Sequence, residues 1–190
     1  MAKENKSKYA LLGILSMCPG SGYDIKKFME QSTSNFWSES YGQIYPILKQ
    51  LVEAGLATSH TEKQEGRPER YIYTLTDKGL EELRRWLTEP IEHAVERNEL
   101  LLKLLFGRQN SITDNIEHVR QFRTLQEQLL QKYRDIEVYL KANCADESEQ
   151  IYSLITLRYG ILRCQALLIW CEETIDKLHI FAEKNEAVKQ

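Results

Sequence analysis

Apolar residues recur at helical spacing along the first third of the chain, and turn residues separate the helical runs. The run from Tyr9 to Met17 predicts a first helix, and the Pro19 and Gly20 that follow it are helix stop signals. Ser21 and Asp24 have the spacing of a capping box, so a second helix is predicted to begin at Ser21.

A third helix follows, and it contains a proline. Ser40 and Gln43 repeat the capping-box spacing at its start, and we expect it to end at Gly55. Pro46 lies inside the pattern, although its ring lacks an N–H donor and clashes with the carbonyl of Gly42, four residues earlier. A short helix that keeps such a residue is predicted to present its outer face to something other than water. The apolar face consists of Ile44, Ile47, Leu48, Leu51 and Val52.

The period then changes from that of a helix to that of a strand. Alternating residues over 56–62 and 71–75 predict two strands, and the segment QEGRPE at 64–69 predicts the turn of a hairpin between them. A fourth helix begins at Thr76 and ends before Pro90. This is the element order of a winged helix-turn-helix, in which the third helix enters the major groove and the hairpin tip approaches the backbone or the minor groove.

After Pro90 the pattern is helical throughout. The segment ELLLKLLFG at 99–107 predicts a compact helix that is apolar on most of its surface, so we expect it to be buried on several sides. Ser111 caps a long helix that reaches about residue 143, and a final helix spans about 147–183.

The final helix carries an apolar heptad run, which requires a partner helix. We expect a second copy of the chain to supply it, although Phe122, Leu129 and Ile136 of the preceding helix would cover part of the run. The predicted fold class is mainly α with a small β-hairpin wing: a winged helix-turn-helix domain over 1–90 and a long-helix dimerisation domain over 91–190. The candidate dimerisation residues are Leu154, Leu157, Ile161, Cys164, Leu168, Cys171, Ile175 and Leu178.

Composition and charge narrow the class of protein. The formal net charge is −3, and residues 1–75 hold nine Lys and Arg against eight Asp and Glu, so no broad basic field points to DNA. The sequence lacks a run of about 20 apolar residues and a secretory leader, so we expect a cytoplasmic protein with no membrane partner. The four cysteines lack paired spacing, which favours reduced thiols and predicts neither a metal site nor a cofactor.

Local catalytic motifs are missing from the sequence. It contains no nucleophile elbow, no phosphate-binding loop and no HExxH zinc motif. The carboxylates that stand out, Glu81, Glu82, Glu172 and Glu173, lie at positions typical of solvated helix faces. We therefore predict that the protein is not an enzyme.

The outward face of the third helix carries the candidate chemistry. Gly42 removes bulk where a backbone approaches DNA, and Gln43 has an amide that can donate to and accept from an adenine edge. Tyr45 and Lys49 would add phosphate contacts. An alternative reading leaves Gln43 only as the capping partner of Ser40.

Arg67 lies at the hairpin tip between Gly66 and Pro68. An extended arginine there suits a minor groove or a phosphate, although a Gly-Arg-Pro turn is also common as a turn alone. Glu65 and Glu69 beside it would face phosphates, which limits the contact that the hairpin can make.

Four segments together resemble the PadR family of bacterial transcriptional regulators: LLGILSMCPGSGYDIKK, YGQIYPILKQLVEAGL, GRPERYIYTLTDKGLEELRRWL and LLLKLLFG. The resemblance covers residues 8–107, and the helices beyond look like those of the larger subgroup, whose C-terminal domain is similar to that of virulence activators. It implies a homodimeric repressor, less often an activator, that binds a palindromic double-stranded DNA operator. The candidate DNA-binding residues are Tyr23, Ser40, Tyr41, Gly42, Gln43, Tyr45, Pro46, Lys49, Arg67 and Arg70.

Two further expectations accompany the resemblance. The near-neutral charge of residues 1–75 favours an alternative, a winged-helix module that binds another protein and no DNA. Some members of the family sense small aromatic molecules, which implies a small aromatic effector. Trp37, Trp86 and Trp170 offer flat apolar area for such a ligand, whereas packing inside the protein is the more frequent role of such side chains.

Overall fold

The computed structural model describes residues 6–33, 36–62, 69–92, 96–143 and 146–187. The chain divides into two units, Met1–His93 and Ala94–Gln190. In chain order the elements are α1 (Ser7–Met17), α2 (Gly22–Ser32), α3 (Tyr41–Glu53), β1 (Ala57–Glu62), β2 (Arg70–Leu75), α4 (Asp77–Leu87), α5 (Glu99–Leu105), a 3₁₀ turn (Gly107–Gln109), α6 (Ile112–Asn143) and α7 (Glu147–Ala187).

Local hydrogen bonds explain where helices of the first unit begin and end. At α2 the predicted capping box forms: the Ser21 N–H donates to Asp24 Oδ2 at 2.9 Å, and the Asp24 N–H donates to Ser21 Oγ at 3.3 Å. Thr76 caps α4 by accepting from the Gly79 N–H at 3.0 Å. Gly55 follows α3 with φ 71°, a left-handed conformation that glycine adopts without strain, so the helix ends there as predicted.

The hairpin is joined to the turn between α1 and α2. Strands β1 and β2 pair antiparallel, from Ala57 opposite Leu75 to Glu62 opposite Arg70. The Gly20 N–H donates to the Tyr73 carbonyl at 3.1 Å, and the Gly20 carbonyl accepts from the Tyr73 N–H at 2.9 Å. The predicted hairpin tip, including Arg67, lies outside the described residues.

A single apolar core orients the helices of the first unit. Leu11 and Leu12 of α1 and Ile44 and Leu48 of α3 are all 0% exposed within it. The start of α4 lies against the Leu56 carbonyl, just before β1, and Gly79 permits this approach because it has no Cβ. The burial of one side of α3 leaves its other side directed away from the core.

The heptad run of α7 is covered by α6 of the same chain. Leu157, Ile161 and Cys164 form a core with Leu130 and Tyr133 of α6. A helix of the same chain therefore packs against this part of the run, since periodicity identifies an apolar face but not the chain that covers it. The dimerisation role of the run stays a prediction. Within it Leu157, Ile161, Cys164 and Cys171 are buried, and Leu154, Leu168, Ile175 and Leu178 are half-buried.

The expectation that α5 is buried on several sides is wrong for the single chain. None of the α5 residues is buried, and Leu101 and Leu105 are 50% and 76% exposed. The turn after α5 is tied to α6, because the Asn115 Nδ2 donates to the Gly107 carbonyl at 2.8 Å. One neighbouring helix cannot cover a short helix that is apolar on several sides. The apolar surface of α5 therefore faces solvent in the single chain.

Among the described residues, α7 is long and apolar enough to cross a membrane by length and composition alone. A core helix of a soluble protein passes the same test, and α7 packs along α6. Its apolar character extends to a second row, one position after the heptad run, where Ile155, Leu162 and Ile169 are exposed. The helix is thus apolar on more sides than α6 covers.

Candidate DNA-binding surface

The helix α3 has two faces of opposite character. Ile44, Ile47 and Leu48 are buried, whereas the predicted outward positions are exposed. The helix runs from Tyr41 to Glu53 without a break at Pro46. The missing N–H of Pro46 leaves the Gly42 carbonyl without its intrahelical donor, and that carbonyl belongs to the exposed first turn. The exposed residues of this face are Tyr41, Gly42, Gln43, Tyr45, Pro46 and Lys49.

The Gln43 side chain takes part in the predicted capping box of α3. Its Oε1 accepts from the Ser40 backbone N–H at 2.9 Å and from the Ser40 hydroxyl at 2.8 Å. Both residues are exposed, so these bonds form at the surface of the helix end. The sequence left open whether Gln43 caps the helix or faces outward. In the structure it does both.

Four tyrosines of α2, α3 and β2 are exposed, and three of them, Tyr23, Tyr41 and Tyr45, lie near one another at the start of α3. Tyr23, Tyr41, Tyr45 and Tyr71 are 58%, 44%, 49% and 57% exposed, and the rings of Tyr41 and Tyr45 stack with centroids 6.3 Å apart. Desolvation raises the pKa of Tyr41, and the nearby Glu30, Tyr23 and Tyr45 raise it further. The Tyr41 hydroxyl therefore keeps its proton and can donate to a phosphate oxygen. Tyr71 was not predicted; its alternation with the buried Ile72 was the available signal.

Gly22 brings α2 and α3 together beneath one of these rings. A Cβ at Gly22 would lie 2.6 Å from Cε1 of Tyr45, a distance that real Cβ atoms do not show. Only glycine therefore allows the Tyr45 ring to rest against the start of α2. This contact positions Tyr45 beside the exposed face of α3.

Arg70 is held by two carboxylates. Its Nε donates to Glu62 Oε2 at 2.7 Å, and its Nη1 lies 3.7 Å from Asp24 Oδ2. The hydrogen bond to Glu62 raises the pKa of Arg70. Burial acts to raise the pKa of Asp24, but hydrogen bonds from Ser21 and the charge of Arg70 lower it below its usual value. Arg70 thus links the hairpin to the capping box of α2.

Lys49 contributes an exposed positive charge to the outward face. Its Nζ lies 3.8 Å from Glu53 Oε1, and its side chain is 79% exposed. Such a pair between neighbouring helical turns stabilises by only about 0.3–0.5 kcal/mol, so a phosphate can displace Glu53 at little cost. The candidate DNA-binding surface thus consists of the exposed face of α3, with its capped start and Lys49, and of the exposed tyrosines. Arg70 lies at its side, on the hairpin.

The tryptophans are engaged in packing within the chain. Trp37 packs against the core of the first unit. Trp86 stacks on Tyr9 with ring centroids 4.6 Å apart and an interplanar angle of 7°. Trp170 meets Phe122 edge to face at 6.3 Å. Each of the three rings therefore packs against other side chains of the chain, which is the more frequent role expected for them.

Glu82 does not lie on a solvated face, contrary to the expectation. Its Oε1 accepts from Lys8 Nζ at 3.0 Å, from the Tyr9 hydroxyl at 3.2 Å and from Arg85 Nη2 at 2.9 Å. Hydrogen bonds from Arg85 and then Lys8 lower the pKa of Glu82 to about 2. Lys8 lies 74 positions away in the chain, so no local pattern could reveal this contact. Glu81, Glu172 and Glu173 are exposed, as predicted.

Two sequence families match the chain in succession. Residues 11–85 match the family described as "Transcriptional regulator PadR-like family". Residues 96–179 match the family described as "Virulence activator alpha C-term". The first match contains α3 and the hairpin, and the second contains α5, α6 and most of α7.

Known proteins of similar sequence and structure agree with these matches. The negative transcriptional regulator PadR of Bacillus subtilis (strain 168) is 43% identical over 101 residues, which span 52% of this chain and only 55% of that protein. The crystal structure of Bacillus subtilis PadR in complex with operator DNA superposes with a TM-score of 0.78 at 30% identity, over 92% of this chain and 99% of that chain. The structure of Bacillus subtilis PadR in complex with p-coumaric acid has a TM-score of 0.73 at 28% identity, over 92% and 99%.

Proposed function

Because this chain belongs to the PadR-like family of transcriptional regulators, we propose that it is a cytoplasmic homodimeric repressor that binds a palindromic operator. The family and the relatives are regulators of transcription and not enzymes. In the proposed complex the outward face of α3 enters the major groove, and the tyrosines and the hairpin contact the backbone.

The observation that carries this proposal is the division of α3 into two faces. The buried face fixes the helix in the core, and the exposed face presents Gly42, Gln43, Tyr45 and Lys49 together. A helix that served packing alone would not need an exposed glycine and proline in its first two turns. A groove-bound helix gains from both, because Gly42 lets its backbone approach DNA.

Gel-shift titration with the protein's own promoter region at several salt concentrations tests the proposal. Binding that neutralises phosphates falls linearly with salt on a logarithmic scale, so Lys49→Ala should flatten the slope by about one unit. Lys177→Ala is the matched control, since Lys177 has the same 79% side-chain exposure and also pairs with a glutamate one helical turn away, Glu173. Equal slopes for the two variants, or no shift at all, would favour the alternative, a protein-interaction module.

The proposed dimer surface is the exposed apolar row of α7 together with α5. Ile155, Leu162 and Ile169 are 59%, 49% and 58% exposed, although each is a large apolar residue. Large apolar side chains that stay exposed in a row along one helix are typical of an interaction site. A second copy is the proposed occupant, because a palindromic operator requires two identical reading units.

We propose that a small aromatic effector binds the cleft between α5 and α6. This cleft of about 380 Å³ is open to solvent, and Leu102 and Phe106 form its apolar wall. Asn110 and His118 supply hydrogen-bonding groups beside that wall. A flat ring with one polar end matches this combination. The remaining residues that line the cleft are Lys103 and Asn115.

Titration calorimetry with p-coumaric acid as the probe tests the effector site. The parent should bind the probe and release operator DNA, and Phe106→Ala should weaken binding of the probe while leaving operator affinity unchanged. Leu125→Ala is the control, because Leu125 is 60% exposed on α6 and does not line the cleft. Equal weakening by both substitutions would place the effector elsewhere.

A further inference from the structure

The oxygen of the Gln43 side chain already has its full complement of hydrogen bonds. An amide oxygen has two lone pairs. The Ser40 N–H and the Ser40 hydroxyl occupy both, at 2.9 and 2.8 Å. Oε1 therefore cannot accept a further strong hydrogen bond while both of these bonds from Ser40 are kept.

The amide nitrogen is the part of Gln43 that remains for a ligand. No protein acceptor for its Nε2 is found within the described part of the chain, and the side chain is exposed at the N-terminal end of α3. We infer that Gln43, held by Ser40, reads DNA as a hydrogen-bond donor only and selects a keto base, guanine or thymine, in place of adenine. This inference rests on the proposed function, because it assumes that α3 enters the major groove.

The chemistry of the base edges gives this selection. Guanine presents two acceptors in the major groove, O6 and N7, and thymine presents O4. Adenine presents the N7 acceptor beside the N6 amino donor, and the usual pairing of glutamine with adenine needs both the amide nitrogen and the amide oxygen. With Oε1 occupied, the N6 donor of adenine would face an oxygen that cannot accept. Ser40 is accordingly a positioning residue that sets the specificity of Gln43.

Base analogues separate the two modes of reading. The measurement is the affinity of the parent and of Gln43→Ala for the operator and for duplexes with single-base changes. At the pair that Gln43 reads, the parent should prefer guanine or thymine by about tenfold per half-site, and Gln43→Ala should lose that preference. Replacing any adenine of the half-site by purine, which lacks the N6 amino group, should affect the parent and Gln43→Ala equally.

Gln43→Glu is the matched variant. A carboxylate at this position can still accept from Ser40, as Asp24 does from Ser21, but it has no N–H to donate. The melting temperature should stay at the parental value while the base preference disappears. The new negative charge repels every duplex equally, so the ratio of the variant's affinities for two duplexes still reports its base preference.

Two outcomes would overturn the inference. One is an adenine-to-purine change that weakens the parent and not Gln43→Ala, because Oε1 would then accept from N6. The other is a base preference that survives in both Gln43 variants, because no base would then be read by the amide N–H. Failure of the parent to bind any duplex would be a different result, since it would overturn the proposed function itself.

Discussion

Two glycines show how strongly the surroundings of a single residue decide its effect. A Cβ at Gly79 would lie 2.0 Å from the Leu56 carbonyl oxygen, whereas a Cβ at Gly13 would meet nothing within 4 Å. Gly79→Ala should lower the free energy of unfolding by about 1–3 kcal/mol or more, because the backbone at Leu56 or in α4 must move. Gly13→Ala should raise it by about 0.5–1 kcal/mol, because alanine favours the helix. Urea unfolding of both variants, followed by circular dichroism, checks the difference, and effects of the same sign would contradict it.

Glu82 makes the stability of the first unit depend on pH. Hydrogen bonds from Arg85 and Lys8 lower its pKa from 4.5 to about 2. A lowered pKa means that the folded state favours the carboxylate, so the stabilisation is fully present above pH 4.5 and is lost as the pH falls towards 2. Glu82→Gln should therefore lower the free energy of unfolding at pH 7 by about 1–3 kcal/mol, and the deficit should shrink as the pH falls to 3.

Glu81→Gln is the control for this prediction, because Glu81 lies on the same helix with an exposed side chain. Its free energy of unfolding should match that of the parent at both pH values. Urea titrations of the parent and both variants at pH 7 and pH 3 provide the comparison. A deficit of Glu82→Gln that is the same at both pH values would show that the charge of Glu82 is not the source of the stabilisation.

At the scale of the elements, the hairpin is held to α2 through Arg70. Glu62 lies opposite Arg70 in the strand register, and Asp24 belongs to the capping box of α2. Arg70→Ala should weaken operator binding by about 0.2–1 kcal/mol, the usual contribution of an exposed ion pair, because the hairpin loses its orientation. The salt slope should stay unchanged, since the lost partner is a carboxylate.

Salt-dependent gel shifts check this prediction, with Lys49→Ala as the comparison that does flatten the slope. A decrease of about one unit in Arg70→Ala would instead assign Arg70 to a phosphate contact, the role that the family resemblance implies.

The elements of the first unit were predictable because short-range chemistry determines them. Two helices begin at capping boxes whose partners are only three residues apart, Ser21 with Asp24 and Ser40 with Gln43. The helix α3 ends where Gly55 adopts a left-handed conformation. Apolar spacing also predicted which side of α3 is exposed. The ion pairs of Arg70 and the partners of Glu82 were not predictable, because they join residues from different elements that only the tertiary fold brings together.

At the scale of the whole molecule, sequence periodicity revealed that α7 needs a partner but not which partner. The heptad run packs against α6, and the next row on α7 is exposed. A helix that is apolar on more than one side can serve two interfaces, one within the chain and, in the proposed dimer, one between copies. The helix α5 is likewise apolar on more sides than its own chain covers, so the burial predicted for it is not found in the single chain.

Adjacent residues of α7 separate these two interfaces in one experiment. Leu162 is 49% exposed in the second row, whereas Ile161 is 4% exposed in the heptad run. Leu162→Lys should leave the helical content unchanged and convert the dimer to a monomer, because it places a charge in the proposed interface between copies. Ile161→Lys should instead unfold the second unit, because it buries a charge in the core formed with α6. Light scattering and circular dichroism give the two readouts.

The monomer should also bind the operator more weakly, since it reads one half-site at a time. A Leu162→Lys protein that remains a tight dimer would contradict the assignment.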